Sequence, residues 1–153
     1  MSARIVLACR VVLGALFIWA AIAKLPDMAA FAQDVANYRV VPAALVPFVA
    51  AAVVGIELLA GIALVSGWNS RAGAVVIAAL LAVFTGFIAQ ALLRGIDLRC
   101  GCFGGDEPAS WWTVLRDLAM LAAALAVARG APETGGATHV PFFEPVRRSK
   151  EKN

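Results

Sequence analysis

Four long apolar runs, separated by short polar stretches, dominate the pattern of hydrophobic and polar positions along the chain. They cover residues 5–23, 43–65, 72–93 and 111–128. A helix that crosses a bilayer needs about 20 predominantly apolar residues, and the first three runs meet that length. The fourth run is shorter and contains Arg116 and Asp117. None of the runs alternates with the period of a strand, so we predict an all-α, polytopic membrane protein built as a four-transmembrane-helix bundle.

The connections between the runs predict one further element. The segment 24–42 is too long for a simple turn, and Phe31, Val35 and Tyr38 recur within it at helical spacing. This pattern predicts a short surface helix in the first outer loop. Gly67, Trp68 and Asn69 predict a tight turn between the second and third runs.

The composition supports a protein embedded in the lipid bilayer. Hydrophobic residues make up 62% of the 153 residues and charged residues only 15%, whereas a soluble domain is about half apolar. The net charge is +3, but the basic residues are scattered or lie near the ends of the runs, so we predict no nucleic-acid partner. We expect one membrane domain over residues 1–129, followed by a flexible basic cytoplasmic tail over 130–153.

The distribution of lysine and arginine predicts the orientation in the membrane. With four spans, one side of the bilayer carries Arg4, Arg71, Arg129, Arg147, Arg148, Lys150 and Lys152, and the other side carries Lys24, Arg39, Arg94 and Arg99. The positive-inside rule therefore predicts a multi-pass protein of the cell (inner) membrane with both termini in the cytoplasm. The loop between the third and fourth runs is then periplasmic or extracellular, where disulfides persist.

That loop contains a closely spaced cysteine pair, Cys100 and Cys102, with only Gly101 between them. A disulfide across this spacing closes a very small ring, which departs from relaxed geometry and should be easily reduced. Gly101 tolerates the unusual backbone best, and Arg99 with Arg116 would favour the thiolate. We predict that Cys100 and Cys102 are the catalytic residues of thiol–disulfide exchange.

Two other interpretations of the pair stay open. One is a structural disulfide in a non-catalytic assembly subunit. The other is a soft-metal site, but zinc requires four ligands, and Cys9 and His139 lie near or beyond the opposite face under the predicted topology. We therefore assign no metal site within one chain and interpret Cys9 as an inert packing residue.

Charged residues within the runs predict two polar contacts. Arg10 and Glu57 lie about 9 Å and about 12 Å from the same ends of their runs, at about 1.5 Å per residue, so we predict an intramembrane Arg10–Glu57 ion pair. Lys24, Gln90 and Arg116 are expected to form a polar pocket under the cysteine loop, suited to a membrane quinone headgroup or to a partner's thiolate.

The alternative for this second contact is simpler. Arg116 would extend towards the membrane surface, with its neighbour Asp117 as counter-ion.

Taken together, these residues resemble the MauE branch of the MauE/DoxX family of redox-associated membrane proteins, which are associated with methylamine utilisation. The resemblance covers roughly residues 5–128. It rests on Lys24, Tyr38, Pro42, Glu57, Gly61, the run Cys100-Gly101-Cys102-Phe103-Gly104, Trp111-Trp112 and Arg116-Asp117.

The resemblance implies a four-helix membrane protein that works with a thioredoxin-like periplasmic partner. In the methylamine system the family is linked to maturation of the disulfide-rich small subunit of methylamine dehydrogenase. The cysteine pair would either oxidise a partner and pass electrons to a membrane quinone, or carry electrons outward. The outward route needs cytoplasmic thiols, and Cys9 alone cannot cycle as an intramolecular disulfide, so we favour oxidation. The sequence leaves open whether the chain forms a homo- or hetero-oligomer.

Overall fold

The computed structural model describes residues 3–95 and 108–130, and these residues form five α-helices. The helices are α1 (Ala3–Lys24), α2 (Met28–Asn37), α3 (Val46–Ser66), α4 (Ser70–Leu93) and α5 (Trp111–Gly130). Two single-turn 3-10 helices, Leu25–Asp27 and Ala43–Leu45, precede α2 and α3. The predicted all-α architecture is confirmed.

Four helical segments among the described residues are long and apolar enough to cross a membrane. They are Arg4–Asn37, Ala43–Ser66, Ser70–Leu93 and Trp111–Gly130. The first segment contains both α1 and α2, and the other three agree closely with the predicted apolar runs. The described residues therefore contain the four candidate spans that the hydrophobic pattern predicts.

The short helix predicted in the first loop is α2, and the interruption before it has a local cause. Pro26 lacks the backbone N–H that a continuing helix needs, and Asp27 then caps the new helix, because its Oδ1 accepts a hydrogen bond from the Ala30 N–H at 2.8 Å. Phe31 and Val35 are buried against the N-terminal half of α3. Burial of this apolar face fixes α2 against the bundle.

Helices α1 and α3 approach each other closely at two glycines. A Cβ atom added to Gly14 would lie 2.8 Å from the Gly61 carbonyl oxygen, which no real side chain tolerates. Small residues at such a crossing let two membrane helices pack backbone to backbone. This contact sets the antiparallel register of α1 against α3.

The turn between α3 and α4 is as tight as the sequence predicts. Gly67 and Asn69 both have positive φ, 79° and 51°, which glycine adopts freely and asparagine tolerates. Trp68 at this turn is exposed, as are Trp111 and Trp112 at the start of α5. Exposed indole rings at helix ends are typical of the membrane interface.

The two ends of the bundle differ in which helix termini lie there. The first and last described helices meet at one end, where a Cβ on Gly130 would lie 3.1 Å from a Val6 methyl carbon; we call this the termini end. The other end holds the last turn of α4 and the first turn of α5, and we call it the loop end. Residues 96–107, which connect α4 to α5, lie outside the described residues.

Candidate functional site: a buried polar cluster within the bundle

The cysteine pair belongs to the connection between α4 and α5. Arg99, Cys100, Gly101 and Cys102 all lie outside the described residues, so their predicted roles stay predictions. The helices that this connection joins pack side by side at the loop end, where Ile88 and Val114 form a shared apolar cluster.

Lys24 and Glu57 form an ion pair inside the bundle. The Lys24 ammonium donates hydrogen bonds to both carboxylate oxygens of Glu57, at 2.9 Å and 3.2 Å, and a third to the Ala20 carbonyl oxygen at 3.2 Å. It also lies 5.2 Å from the centre of the Phe31 ring, a cation–π contact. The two charged side chains are only 1% and 7% exposed. Glu57 lies about 16 Å from the start of α3 at about 1.5 Å per residue, so this pair is near the middle of that span.

The predicted Arg10–Glu57 pair is wrong. Both oxygens of Glu57 accept from Lys24, whereas the Arg10 guanidinium lies beside Gly67, with Nη1 3.1 Å from the position that a Cβ there would occupy. Gly67 is ten positions beyond Glu57, or about 15 Å along the helix. The prediction compared only how deep Arg10 and Glu57 lie from the ends of their apolar runs. The pairing depends instead on the register in which α1 crosses α3, and this register places Lys24 opposite Glu57.

A second charged pair joins neighbouring residues of α5. The Arg116 side chain donates to Oδ1 of Asp117 from Nη2 at 3.2 Å and from Nε at 3.3 Å. Asp117 is 1% exposed, whereas the Arg116 side chain is 32% exposed. Asp117 therefore points into the bundle while Arg116 extends outward and folds back onto it, as the simpler interpretation of these two residues expects.

Lys24, Glu57 and Asp117 line one small cavity inside the bundle. Its volume is about 30 Å³, which is room for one or two water molecules. The remaining wall is apolar and is supplied by Phe17, Ala20, Phe31, Leu81, Phe84 and Met120. Each of the five helices contributes at least one of these residues, so the cavity lies where all five described helices meet.

This cavity shares only Lys24 with the pocket predicted from Lys24, Gln90 and Arg116. Lys24 belongs to it, but Gln90 is exposed near the end of α4 and is not among the lining residues. Arg116 reaches the cavity only through Asp117. The pocket predicted from Lys24, Gln90 and Arg116 lies under the cysteine loop, which is outside the described residues, so it stays a prediction.

A quinone headgroup does not fit this cavity. A cavity of about 150 Å³ holds a benzene ring, whereas the space beside Lys24 and Glu57 is about 30 Å³. The quinone site predicted under the cysteine loop lies outside the described residues.

The third cysteine lies far from this cluster. Cys9 is half-buried and packs against the core shared by α1, α3, α4 and α5. It is fifteen residues before Lys24 on the same helix, about 22 Å away along its axis. Within residues 3–95 and 108–130, no three histidine, cysteine or acidic side chains lie close enough to hold a metal ion.

Comparison with known proteins assigns the chain to a family. Residues 2–130 match the family model described as methylamine utilisation protein MauE. The chain is 40% identical over 128 residues to the methylamine utilization protein MauE of Paracoccus denitrificans, which covers 82% of this chain and 69% of that protein. No solved structure matches. With four apolar helices and a family match over its whole helical part, this chain is a multi-pass membrane protein and belongs to the MauE family.

Proposed function

We propose that this chain is a membrane thiol–disulfide redox protein whose Cys100–Cys102 pair exchanges electrons with a thioredoxin-like periplasmic partner. The exchange would serve disulfide formation in an exported protein of methylamine utilisation. In this proposal both termini are cytoplasmic and the cysteine pair is periplasmic, in agreement with the lysine and arginine distribution.

The observation that supports the proposal is which helices the cysteine pair connects along the sequence. Cys100 and Cys102 belong to residues 96–107, which join the end of α4 to the start of α5. In the proposal, these two spans present the pair at one face of the membrane. Arg94, which is exposed at the end of α4, and the partly exposed Arg116 place positive charge at the same end, and nearby cations stabilise a thiolate.

The chemical step is a simple exchange that balances without any other oxidant. A thiolate of the reduced partner attacks one sulfur of the Cys100–Cys102 disulfide, and the other sulfur leaves as a thiolate. The partner's second thiolate then attacks the mixed disulfide. The partner gains a disulfide, and Cys100 and Cys102 become a dithiol.

The buried cluster supports this step by holding the helices in place. The Lys24–Glu57 pair ties α1 to α3, and its contact with Phe31 adds α2 to the same junction. The apolar contact of Ile88 with Val114 holds α4 against α5. A rigid frame that presents a short cysteine loop lowers the ordering cost when a partner docks.

Trapping the redox state of the pair in cells tests the proposal. Cells are quenched with acid, free thiols are alkylated with a mass tag, and the wild type is compared with Cys100→Ser and Cys102→Ser. Cys9→Ser is the matched control, because Cys9 is packed in the core of the bundle. We expect a mixture of thiol and disulfide forms in the wild type and in Cys9→Ser, and a partner-linked adduct in one of the two loop mutants.

A different result would favour the assembly subunit. If the pair is always fully oxidised and neither loop mutant traps a partner, the disulfide is a structural bridge. Loss of the partner complex in both mutants, without an adduct, would lead to the same conclusion.

A further inference from the structure

The two buried carboxylates, Glu57 and Asp117, differ in how closely their positive partners contact them. Both oxygens of Glu57 accept from the Lys24 ammonium, and that pair is almost fully enclosed. Among the described residues, Asp117 accepts only from Arg116, and only through one oxygen, at 3.2–3.3 Å. Arg116 precedes Asp117 directly on the helix, and adjacent residues do not face each other. The cation therefore approaches Asp117 from the side, with about a third of its side chain exposed.

The cavity provides the remaining surroundings of Asp117. It is lined by Asp117 and by the Lys24–Glu57 pair, and it has room for one or two water molecules. Buried water normally makes about three hydrogen bonds to polar groups. A water molecule in this cavity would have the side chains of Lys24, Glu57 and Asp117 as its polar neighbours.

A buried hydroxyl group lies at the same level of the bundle. Thr85 is 7% exposed, and its Oγ1 has no hydrogen-bond partner among the described residues. Helices α4 and α5 are antiparallel, and Ile88 packs against Val114. Thr85 is three residues before Ile88 and Asp117 is three residues after Val114, so the two polar residues are level on neighbouring helices.

We propose that Asp117 is a proton-binding carboxyl group that exchanges its proton through the water of this cavity. A proton from bulk water passes to the cavity water and then to a carboxylate oxygen of Asp117, and it returns by the same route. With Asp117 ionised, Lys24 and Arg116 balance Glu57 and Asp117. Protonation of Asp117 removes the charge that its ion pair with Arg116 depends on.

Asp117 is better suited to reversible proton binding than the other charged groups around the cavity. Among residues 3–95 and 108–130, the charged groups that face the cavity are Lys24 from α1, Glu57 from α3 and Asp117 itself, with Arg116 next to it on α5. Helices α2 and α4 contribute only apolar side chains to the wall. Glu57 is held by two hydrogen bonds from Lys24, so protonating it would leave a buried ammonium uncompensated.

Infrared spectroscopy of the full chain in lipid vesicles tests the proposal. Difference spectra between acid and alkaline buffer are recorded for protein with ordinary aspartate and with carboxyl-¹³C aspartate. We expect a protonated carboxyl C=O band that shifts with the aspartate label and is lost in Asp117→Asn. Asp27→Asn is the matched control, because Asp27 is exposed and asparagine also caps a helix; the band should persist there.

The test does not depend on one variant folding. If Asp117→Asn fails to fold, Asp117→Glu is used, and the band should remain while losing its sensitivity to labelled aspartate. A band that does not shift with labelled aspartate, that persists in Asp117→Asn, or that is absent at every pH at which the protein is folded overturns the proposal.

The water route has its own measurement. Ala20 lines the cavity and is buried, so Ala20→Val fills space that water would occupy. We expect the band to shift in D₂O at least several-fold more slowly in Ala20→Val than in the wild type. An unchanged rate in a folded Ala20→Val variant would refute exchange through this cavity.

Discussion

Separating the Lys24–Glu57 pair should destabilise the protein far more than removing both charges. The perturbation is a cycle of three variants: Lys24→Met, Glu57→Gln and the double variant. Each single change leaves the other charge without its partner at a place where the side chains are 1% and 7% exposed. The double variant leaves no charge behind.

The expected magnitudes come from this burial. Breaking a buried pair by removing one partner costs about 3–5 kcal/mol, whereas replacing both partners by neutral groups of similar volume is often neutral or stabilising. Lys24 also loses its contact with Phe31, which contributes about 1–2 kcal/mol when it is desolvated. We therefore expect each single variant to lose about 3–5 kcal/mol, and the double variant to lose less than either.

Reversible unfolding in mixed micelles, followed by tryptophan fluorescence, measures these free energies. Arg94→Met is the matched control, because Arg94 is exposed at the end of α4; it should change the free energy of unfolding by no more than about 0.5 kcal/mol. If the losses of the two single variants simply add in the double variant, Lys24 and Glu57 are not coupled and the assigned pair is refuted. Single variants as stable as the Arg94 control would refute its burial.

Two further predictions concern packing. Gly14→Ala should lower the free energy of unfolding by about 1–3 kcal/mol in the same assay, because its new methyl group would meet the Gly61 carbonyl oxygen. Gly86→Ala is the control and should be neutral or stabilising, because nothing lies within contact distance of the added methyl group. Equal effects of the two changes would contradict the close crossing of α1 and α3. Phe31→Ala should lose about 3–5 kcal/mol, because Phe31 is buried between α2 and α3, while Phe48→Ala, at a residue that is 73% exposed, should cost much less. A Phe31→Ala variant as stable as Phe48→Ala would show that α2 is not packed on the bundle.

The helices were predictable because each span shows its own length and composition. The run 72–93 predicts α4 to within two residues, and the run 111–128 predicts α5 equally well, although Arg116 and Asp117 interrupt it. Phe31 and Val35 predict α2 by their spacing alone. Run length, composition and residue spacing are all properties of a single helix, so they do not depend on how the helices pack.

The polar contacts were not predictable in the same way because they depend on how two helices cross. Arg10 and Lys24 both lie on α1, and the sequence offers either one as a partner for Glu57. The choice depends on the register of α1 against α3, which is set by the approach of Gly14 to Gly61. A pair of glycines at a crossing is a signal that sequence reasoning could have used. The cavity beside Asp117 could not have been foreseen, since it depends on how five helices meet.

The short turn at Gly67–Asn69 also has a consequence for how the protein is made. It leaves α3 and α4 joined by almost no free chain, and their facing surfaces pack tightly, since a Cβ atom added to Gly73 would lie 2.6 Å from a Leu64 methyl carbon. Two such helices enter a bilayer as one hairpin, in which each covers the small-residue face of the other. The first span, which carries Lys24, must then recruit this hairpin to find Glu57, so its lysine reaches its counter-ion only after α3 and α4 have been synthesised and inserted.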